Sequence, residues 1–386
     1  MCCLKVIVFS ALIAVVCGER RFPVAFKFGA ATASYQVEGA WNVSDKSASI
    51  WDTFIHNNAS AIADQSNGDV ACDSYHKWRE DLNLASELGL DFYRLSLSWP
   101  RLLPNGFSNY ISEDGKRYYN DVINGLLEKG IEPVITLYHW DLPQKLQDLV
   151  LNLLAGLYSH AIYSKEGGWP PSVEKYIAEK SAREGYTRSR LPPFTDEEID
   201  LIKGTFDFYA FNYYTGRLVR NPKEGEKIGK WPFYGCIEIN ALMEPAPEWP
   251  PTSSKWFFEY PEGLRRLLSW LKKNYGDVEY RIMENGYASN KRDINDIDRV
   301  NYYKTHLEQV YLAITEDNVN VTYYTAWTLL DNFEWVDGYV SKFGLIDVDF
   351  TKPDRPRTPR SSAYYYANVI STRSWSDDVL KTNPEP

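Results

Sequence analysis

Three observations predict an α/β fold of the (β/α)8, or TIM-barrel, kind that is incomplete in this chain. Short β-type runs alternate with amphipathic helices along 386 residues, which implies a parallel sheet. The first run is followed by Phe28-Gly-Ala-Ala-Thr, not by the glycine-rich turn that opens a doubly wound nucleotide-binding sheet. Only six strands can be found where a closed barrel needs eight.

The elements follow in order. Phe26 to Tyr35 reads as the first strand, and Tyr75, Trp78, Leu82, Ala85 and Leu88 then fall at helical spacing. Phe92 to Trp99 is the second strand. A helix over Tyr119 to Leu127 ends at Gly130, and Ile131 to Trp140 is the third strand. Phe206 to Tyr214 is the next. Leu264, Leu267 and Leu271 line a helix, Tyr280 to Met283 is a strand, and Tyr303, Leu307, Val310 and Ile314 line another helix. Val319 to Leu329 is the last strand and Ser361 to Ile370 the last helix. The 65 residues between Trp140 and Phe206 hold one apolar stretch, Val150 to Leu157, and proline-containing loop at Trp169 to Pro171 and Leu191 to Pro193. Two further strand–helix units, at roughly 30 residues each, do not fit there.

Composition excludes several function classes. Lys+Arg 42 against Asp+Glu 52, a net charge of −10, leaves no basic footprint for a nucleic-acid partner. Hydrophobic content of 44% with 24% charged residues excludes bulk disorder. Aromatic residues reach 15%, and their flat apolar faces and polar edges suit sugars as well as a large core. Residues 1–18 have the pattern of a secretory signal: Lys5, an apolar run from Val6 to Val16, then the small Cys17 and Gly18. The run is too short to span a bilayer, so no membrane partner is expected after cleavage, and residues 19–386 form a single barrel domain. Removal of the signal leaves Cys72 and Cys236, enough for at most one disulfide. No Cys/His cluster with metal-ligand spacing occurs, so no metal is expected. Asn42-Val-Ser, Asn58-Ala-Ser and Asn320-Val-Thr are glycosylation acceptors in a secreted chain.

The chemistry-bearing residues gather at predicted strand ends. These ends read Ala33-Ser-Tyr-Gln-Val-Glu-Gly-Ala-Trp41, Tyr93-Arg-Leu-Ser-Leu-Ser-Trp99, Leu137-Tyr-His-Trp-Asp-Leu-Pro143, Phe211-Asn-Tyr-Tyr-Thr215, Ile282-Met-Glu-Asn-Gly286 and Trp327-Thr-Leu-Leu-Asp-Asn-Phe-Glu-Trp335. In a barrel the C-terminal strand ends share one mouth. Gln36, His139, Trp140, Asn212, Tyr214, Glu284, Trp327, Glu334 and Trp335 are therefore expected to converge. Amides, an imidazole, carboxylates and indoles match the hydroxyl edge and C–H faces of a sugar. Glu284 sits at the rim on a rigid strand, as a carboxylate nucleophile at an anomeric carbon requires. Arg94 within a few ångström would favour its charged form. The bland alternative makes Glu284 the flank of an Asn-Gly hairpin.

These segments resemble the family 1 glycoside hydrolases, the β-glucosidase and myrosinase group, and the insect members in particular. The resemblance rests on Phe22-Pro to Trp41, Tyr93 to Arg101, Thr136 to Pro143, Ile282 to Tyr287 and Ala326 to Asp337. It implies a (β/α)8 barrel, retaining hydrolysis of a β-glucoside or oligosaccharide, and no cofactor. Carried over, Glu284 is similar to the family nucleophile, with Tyr214 and Arg94 as its partners. Gln36, His139 and Glu334 look like ligands of sugar hydroxyls, and Trp327 and Trp335 like walls of the glucose subsite.

Two departures stand out. Met283 replaces the usual Thr. The family's Thr-x-Asn-Glu-Pro motif, whose Glu is the acid/base, is absent from the whole chain. Family-like sequence breaks near residues 149–154, so an internal deletion of strand–helix units four and five accounts both for the six-strand count and for the missing acid/base. The Asn that binds the sugar's 2-hydroxyl goes with it. Opening a barrel in this way exposes strand edges and core. The expected activity is β-glucosidase-type by descent and impaired in this chain. The alternatives are a thioglucosidase, which suffers less from loss of the acid, and a non-catalytic sugar-binding or truncated form. The expected location is extracellular, such as a gut lumen, or a lysosome-like compartment.

Overall fold

The computed structural model describes residues 20–106, 108, 110–141, 158–169, 171–229, 234–236 and 241–375. The signal segment 1–18, the apolar stretch Val150–Leu157 and the proposed junction near 149–154 lie outside these residues. In chain order the strands are β1 (Lys27–Ala31), β2 (Phe92–Ser96), β3 (Glu132–Thr136), β4 (Tyr209–Asn212), β5 (Leu218–Arg220), β6 (Gly235–Cys236), β7 (Ala241–Glu244), β8 (Tyr280–Asn285), β9 (Val321–Trp327), β10 (Ile346–Val348) and β11 (Arg357–Pro359). Six of them form one parallel sheet in the order β3-β2-β1-β9-β8-β4. β5, β7 and β6 make a small antiparallel sheet, and β10 pairs antiparallel with β11.

Alternation along the strands sorts the two faces of the parallel sheet. On β2, Tyr93 and Leu95 join the main core beneath the helices. Phe92 points the other way and packs with Met283 of β8 and Tyr323 of β9, against Val134 of β3. The outer face is covered by amphipathic helices, among them Ser74–Glu87, Glu113–Glu128, Pro261–Tyr275, Ile297–Thr315 and Ser361–Thr372. Their buried sides supply Leu82, Ala85, Val122, Leu126, Leu264, Leu268, Leu307, Val310 and Tyr366. The helix Glu113–Glu128 shows why these residues are helical. The Ser112 side chain accepts from the Gly115 N–H at 3.0 Å, Glu113 and Asp114 sit in the first turn where the helix dipole favours acids, and Gly130 takes φ +72° just beyond the end.

All eleven sequence-predicted strands and helices are present, but several ends shift. The first strand stops at Ala31, not Tyr35: Ser34–Val37 is a helical turn, fixed because the Ser34 N–H bonds the Ser96 side chain at 2.7 Å. The second ends at Ser96, because Trp99-Pro100 begins another helical turn, where proline fits. The third ends at Thr136 and the last at Trp327. Pro171, read as loop, opens the helix Pro171–Arg183. Cys72 is a buried free thiol rather than half of a disulfide.

The six strands form an arc of a barrel, and its two outer strands are β3 and β4. The chain passes from one to the other through residues 137–208. Its described part holds the helices Tyr158–Tyr163, Pro171–Arg183 and Asp196–Ile202 and no strand.

Below the sheet's C-terminal end, the loop after β9 is pinned by Arg360. This side chain is 1% exposed. It donates to both Asp331 oxygens at 3.0 and 2.6 Å, to Asp347 at 3.0 Å, and to the carbonyls of Gly344 and Asp293 at 2.6 and 3.1 Å. All five guanidinium donor positions can thus be used. Arg360→Met is expected to cost about 3–5 kcal/mol, because it leaves the buried Asp331 carboxylate without its cation, whereas Asp347 keeps Arg292 at 2.8 Å. Urea unfolding of the variant measures this, and a loss below about 1 kcal/mol would contradict the assignment.

Candidate active site

Glu284 is next to last in β8 and 5% exposed. Its placement depends on irregular pairing. Met283 and Glu284 are consecutive, yet Met283 packs in the inner cluster with Phe92 and Glu284 also meets inward-facing groups. Strict alternation forbids this. The register of β8 shifts against both neighbours, near Phe211/Asn212 of β4 and between Ile282 and Asn285. Such irregularities re-aim side chains. Asn285-Gly286 is not a hairpin turn. The Asn285 side chain is fully buried, donates to the Tyr213 carbonyl at 2.8 Å and to the Tyr302 hydroxyl at 2.9 Å, and accepts from the Tyr324 hydroxyl at 2.5 Å. A Cβ on Gly286 would lie 1.8 Å from the Trp327 carbonyl oxygen, so only glycine permits this approach.

Two neighbours hold the Glu284 carboxylate. Arg94, from the middle of β2, donates to Oε1 at 2.5 Å. The Tyr214 hydroxyl, just past β4, donates to Oε2 at 2.7 Å. Arg94 is itself fixed by Thr136 of β3 at 2.9 Å and by the Met283 carbonyl at 3.0 Å. Burial and the neighbouring Glu284 charge push the Tyr214 hydroxyl up, so it stays a donor.

Gln36, His139, Glu334, Trp327 and Trp335 form the adjoining wall. The Gln36 amide donates to the Asn332 side chain at 3.1 Å, to the Phe333 carbonyl at 3.0 Å and to Glu334 at 3.4 Å. Its own oxygen is buried without a partner and free to accept from a ligand. The His139 ring lies parallel to Trp327 at 5.8 Å and to Trp335 at 5.9 Å. Burial lowers His139 to about 4, with Glu284 opposing and Arg94 adding to the shift, so the ring is neutral. Burial, and then the Glu284 charge, raise Glu334 to about 8, against hydrogen bonds from Trp327 and Gln36. At neutral pH Glu334 is therefore a carboxylic acid that can donate as well as accept.

Two sequence-predicted site residues stand apart. Trp140 is 48% exposed, takes φ +66° and packs edge-on against Tyr138. Nothing lies beyond β3 among the described residues to turn it inward. Asn212 ends β4, the opposite edge, and is exposed. It lines a cavity of about 460 Å³ with Tyr214, Trp249, Tyr260 and Arg266. Sequence reasoning missed Thr136, Asn332 and Tyr35, whose ring lies parallel to Trp335 at 6.3 Å. All three fall inside or beside the quoted strand-end segments, but nothing in their residue types announced a role.

The arrangement offers a carboxylate held for attack, paired hydrogen-bonding groups and parallel aromatic faces, which together suit a hexose. Glycosyl hydrolase family 1 matches this chain over residues 18–151 and 147–375. The chain belongs to that family. By family it is a retaining β-glycosidase with a (β/α)8 architecture. It is 34% identical to myrosinase 1 of Brevicoryne brassicae over 473 aligned residues, covering 92% of this chain and 99% of the relative. It is 33% identical to the cytosolic β-glucosidase of Homo sapiens, covering 90% and 98%. The solved aphid myrosinase superposes with a TM-score of 0.81 at 33% identity, covering 92% of this chain and all of that one. Ninety-two per cent of 386 residues is about 355, against 473 aligned positions. More than a hundred positions of that alignment therefore face no residue of this chain, and the two family matches meet at residues 147–151.

Because Glu334 is raised in the folded state, it binds a proton there that the unfolded chain releases at lower pH. Its contribution to stability is full below the ordinary carboxylate range and is lost as pH rises through about 8. Glu334→Gln, which cannot ionise, is expected to match the wild type near pH 5 and to melt progressively higher than it up to about pH 8. A melting difference independent of pH would refute the neutral-acid assignment.

Proposed function

We propose that this chain is a secreted β-glucosidase-type enzyme that keeps the nucleophile and glucose subsite of its family and has lost the acid/base. Glu284 is the nucleophile, Arg94 and Tyr214 orient it, and Gln36, His139 and Glu334 bind hydroxyls between Trp327 and Trp335. The observation that carries this reading is the double grip on Glu284 by Arg94 at 2.5 Å and Tyr214 at 2.7 Å. In the first step a Glu284 oxygen bonds the anomeric carbon and the glycosidic C–O bond breaks. The leaving oxygen takes the electron pair and needs a proton. In the second step a water, relieved of a proton, displaces Glu284. Both steps lack their proton-transfer partner when the Asn-Glu-Pro segment is deleted. The deletion itself is supported by the absent motif, by the meeting of the two family matches at residues 147–151 and by the two outer strands of the arc, which have no further strand partner among the described residues. Secretion is supported by the charged, apolar and small-residue pattern of residues 1–18. Glycosylation is supported by the exposure of Asn42, Asn58 and Asn320. Among the described residues no helix is long and apolar enough to cross a membrane.

Two outcomes test the proposal. A 2-deoxy-2-fluoro-β-glucoside with a dinitrophenolate leaving group, which departs without a proton, is expected to label the Glu284 peptide. Label on any other carboxylate would sink the nucleophile assignment. Alkyl β-glucosides are expected to be hydrolysed at least about a hundredfold more slowly than by a form with the Asn-Glu-Pro segment restored, since acid–base help is typically worth 10²–10⁴. Comparable rates in the two forms would show that the lost segment is not required.

A further inference from the structure

Asp141 lies two residues beyond His139 and is 1% exposed. One of its oxygens accepts from the Ser34 hydroxyl at 2.7 Å. That hydroxyl accepts in turn from Ser96 at 2.9 Å, and the Ser34 N–H donates to the Ser96 oxygen at 2.7 Å. Ser34 opens the turn that carries Gln36, Ser96 ends β2, and Asp141 follows β3. The three side chains therefore join the ends of three adjacent strands at the level of the sugar subsite. The join matters at β3 in particular. Among the described residues β3 is an outer strand, paired through its five residues with β2 alone, so there its C-terminal end lacks the second neighbour that a closed barrel would give it.

We propose that Asp141 is a positioning residue that holds His139 in the sugar subsite through Ser34 and Ser96. The proposal rests on reading that subsite as a glucose site. Asp141 does this best as the neutral acid. Its second oxygen is buried without a partner among the described residues. Burial raises it to about 7, and the Ser34 hydrogen bond opposes the shift. Of the charges facing it, Glu38 adds to the rise and Lys46 resists it. Tyr138 is also close enough to sense its charge. Above about pH 7 the buried site would hold a charge, and the join at the end of β3 should loosen.

The test compares the wild type with Asp141→Asn and Asp141→Ala in the full chain. Glucose affinity is measured by calorimetry on either side of about pH 7, and the reactivity of His139 toward diethylpyrocarbonate is followed by peptide mass. Asp141→Ala is expected to weaken glucose binding about tenfold, the scale of one lost hydrogen bond, and to make His139 reactive. Asp141→Asn should equal the wild type below that pH and bind more tightly than it above, because it cannot ionise. Its remaining pH dependence should sit near 8, where Glu334 titrates. Wild-type affinity and a protected His139 in Asp141→Ala would overturn the proposal. If the folded wild type binds no glucose, the glucose-site reading fails. His139 reactivity then decides the positioning role separately, upheld if only the alanine variant is modified and overturned if all three behave alike.

Discussion

The pairing of the first strand with the last is the constraint on which this molecule depends. β1 matches β9 in parallel over five residues, from Lys27 opposite Tyr323 to Ala31 opposite Trp327, and it matches β2 on its other side. This places the beginning of the chain in the middle of the sheet. It brings Gln36 to Asn332 and Glu334, and it lets Thr328 donate to the Ala31 carbonyl at 2.6 Å. Contacts between residues nearly 300 positions apart are costly in chain entropy. Here they are repaid by a continuous ladder of backbone hydrogen bonds and by a core in which Phe28, Ala30, Tyr324 and Tyr366 are fully buried. The site is a consequence of that closure. None of its walls is local in sequence.

The loops at the C-terminal end of the sheet are held by buried ions as well as by an apolar cluster of Tyr35, Ile55, Ile62 and Phe333. Arg101, 1% exposed, donates to Glu38 at 2.9 Å, and the Tyr119 hydroxyl donates to the other Glu38 oxygen at 2.5 Å. Arg360 does the same work for Asp331 and Asp347. Desolvating such groups is expensive, and replacement by apolar residues is often neutral for stability. What an ion pair adds is direction, because a guanidinium fork accepts its carboxylates in few geometries. Glu38 lies two residues from Gln36, and Asp331 three residues before Glu334. The two polar ends of the Gln36–Glu334 wall are thus each close in sequence to a carboxylate held by a buried arginine.

Periodicity made the six strands and their helices legible, because each strand is flanked by a helix with a clear apolar stripe. Strand ends were not. Ser34 and Trp99 lie in runs that look extended, and their helical turns are set by hydrogen bonds to residues of other strands, which no local pattern contains. In the site, Glu284, Gln36, His139 and Glu334 were visible as chemistry-bearing types at strand ends. Trp140 and Asn212 were equally visible, yet both are exposed, the one four residues past outer strand β3 and the other at the end of outer strand β4. Their neighbours His139 and Tyr214, on the same two outer strands' ends, do reach the site, so residue type and strand-end position alone do not decide orientation there. Thr136 and Asn332 were invisible for another reason: their role is to fix a neighbour, and any residue with one donor or acceptor could be read that way.

The residues of the candidate site all stand on the arc formed by the parallel sheet. Glu284 stands on β8, Arg94 on β2, Tyr214 after β4, Gln36 after β1, and Glu334 and Trp327 at and after β9, all on the continuous arc. A retaining hydrolase needs a second carboxyl about 5–5.5 Å from the nucleophile, and in the family it comes from the end of the fourth strand. Nothing on the arc replaces it in kind. Burial raises Glu334 to about 8, and its partners are Gln36 and Trp327; the proposed reading gives it to the sugar hydroxyls. Asp141 has a similar proton affinity and is buried against Ser34. On the proposed reading, such an arc presents Glu284 to an anomeric carbon, and no second carboxyl at that spacing stands on it among the described residues. The leaving group, rather than sugar recognition, would then be the feature of a substrate that decides whether this chain turns it over.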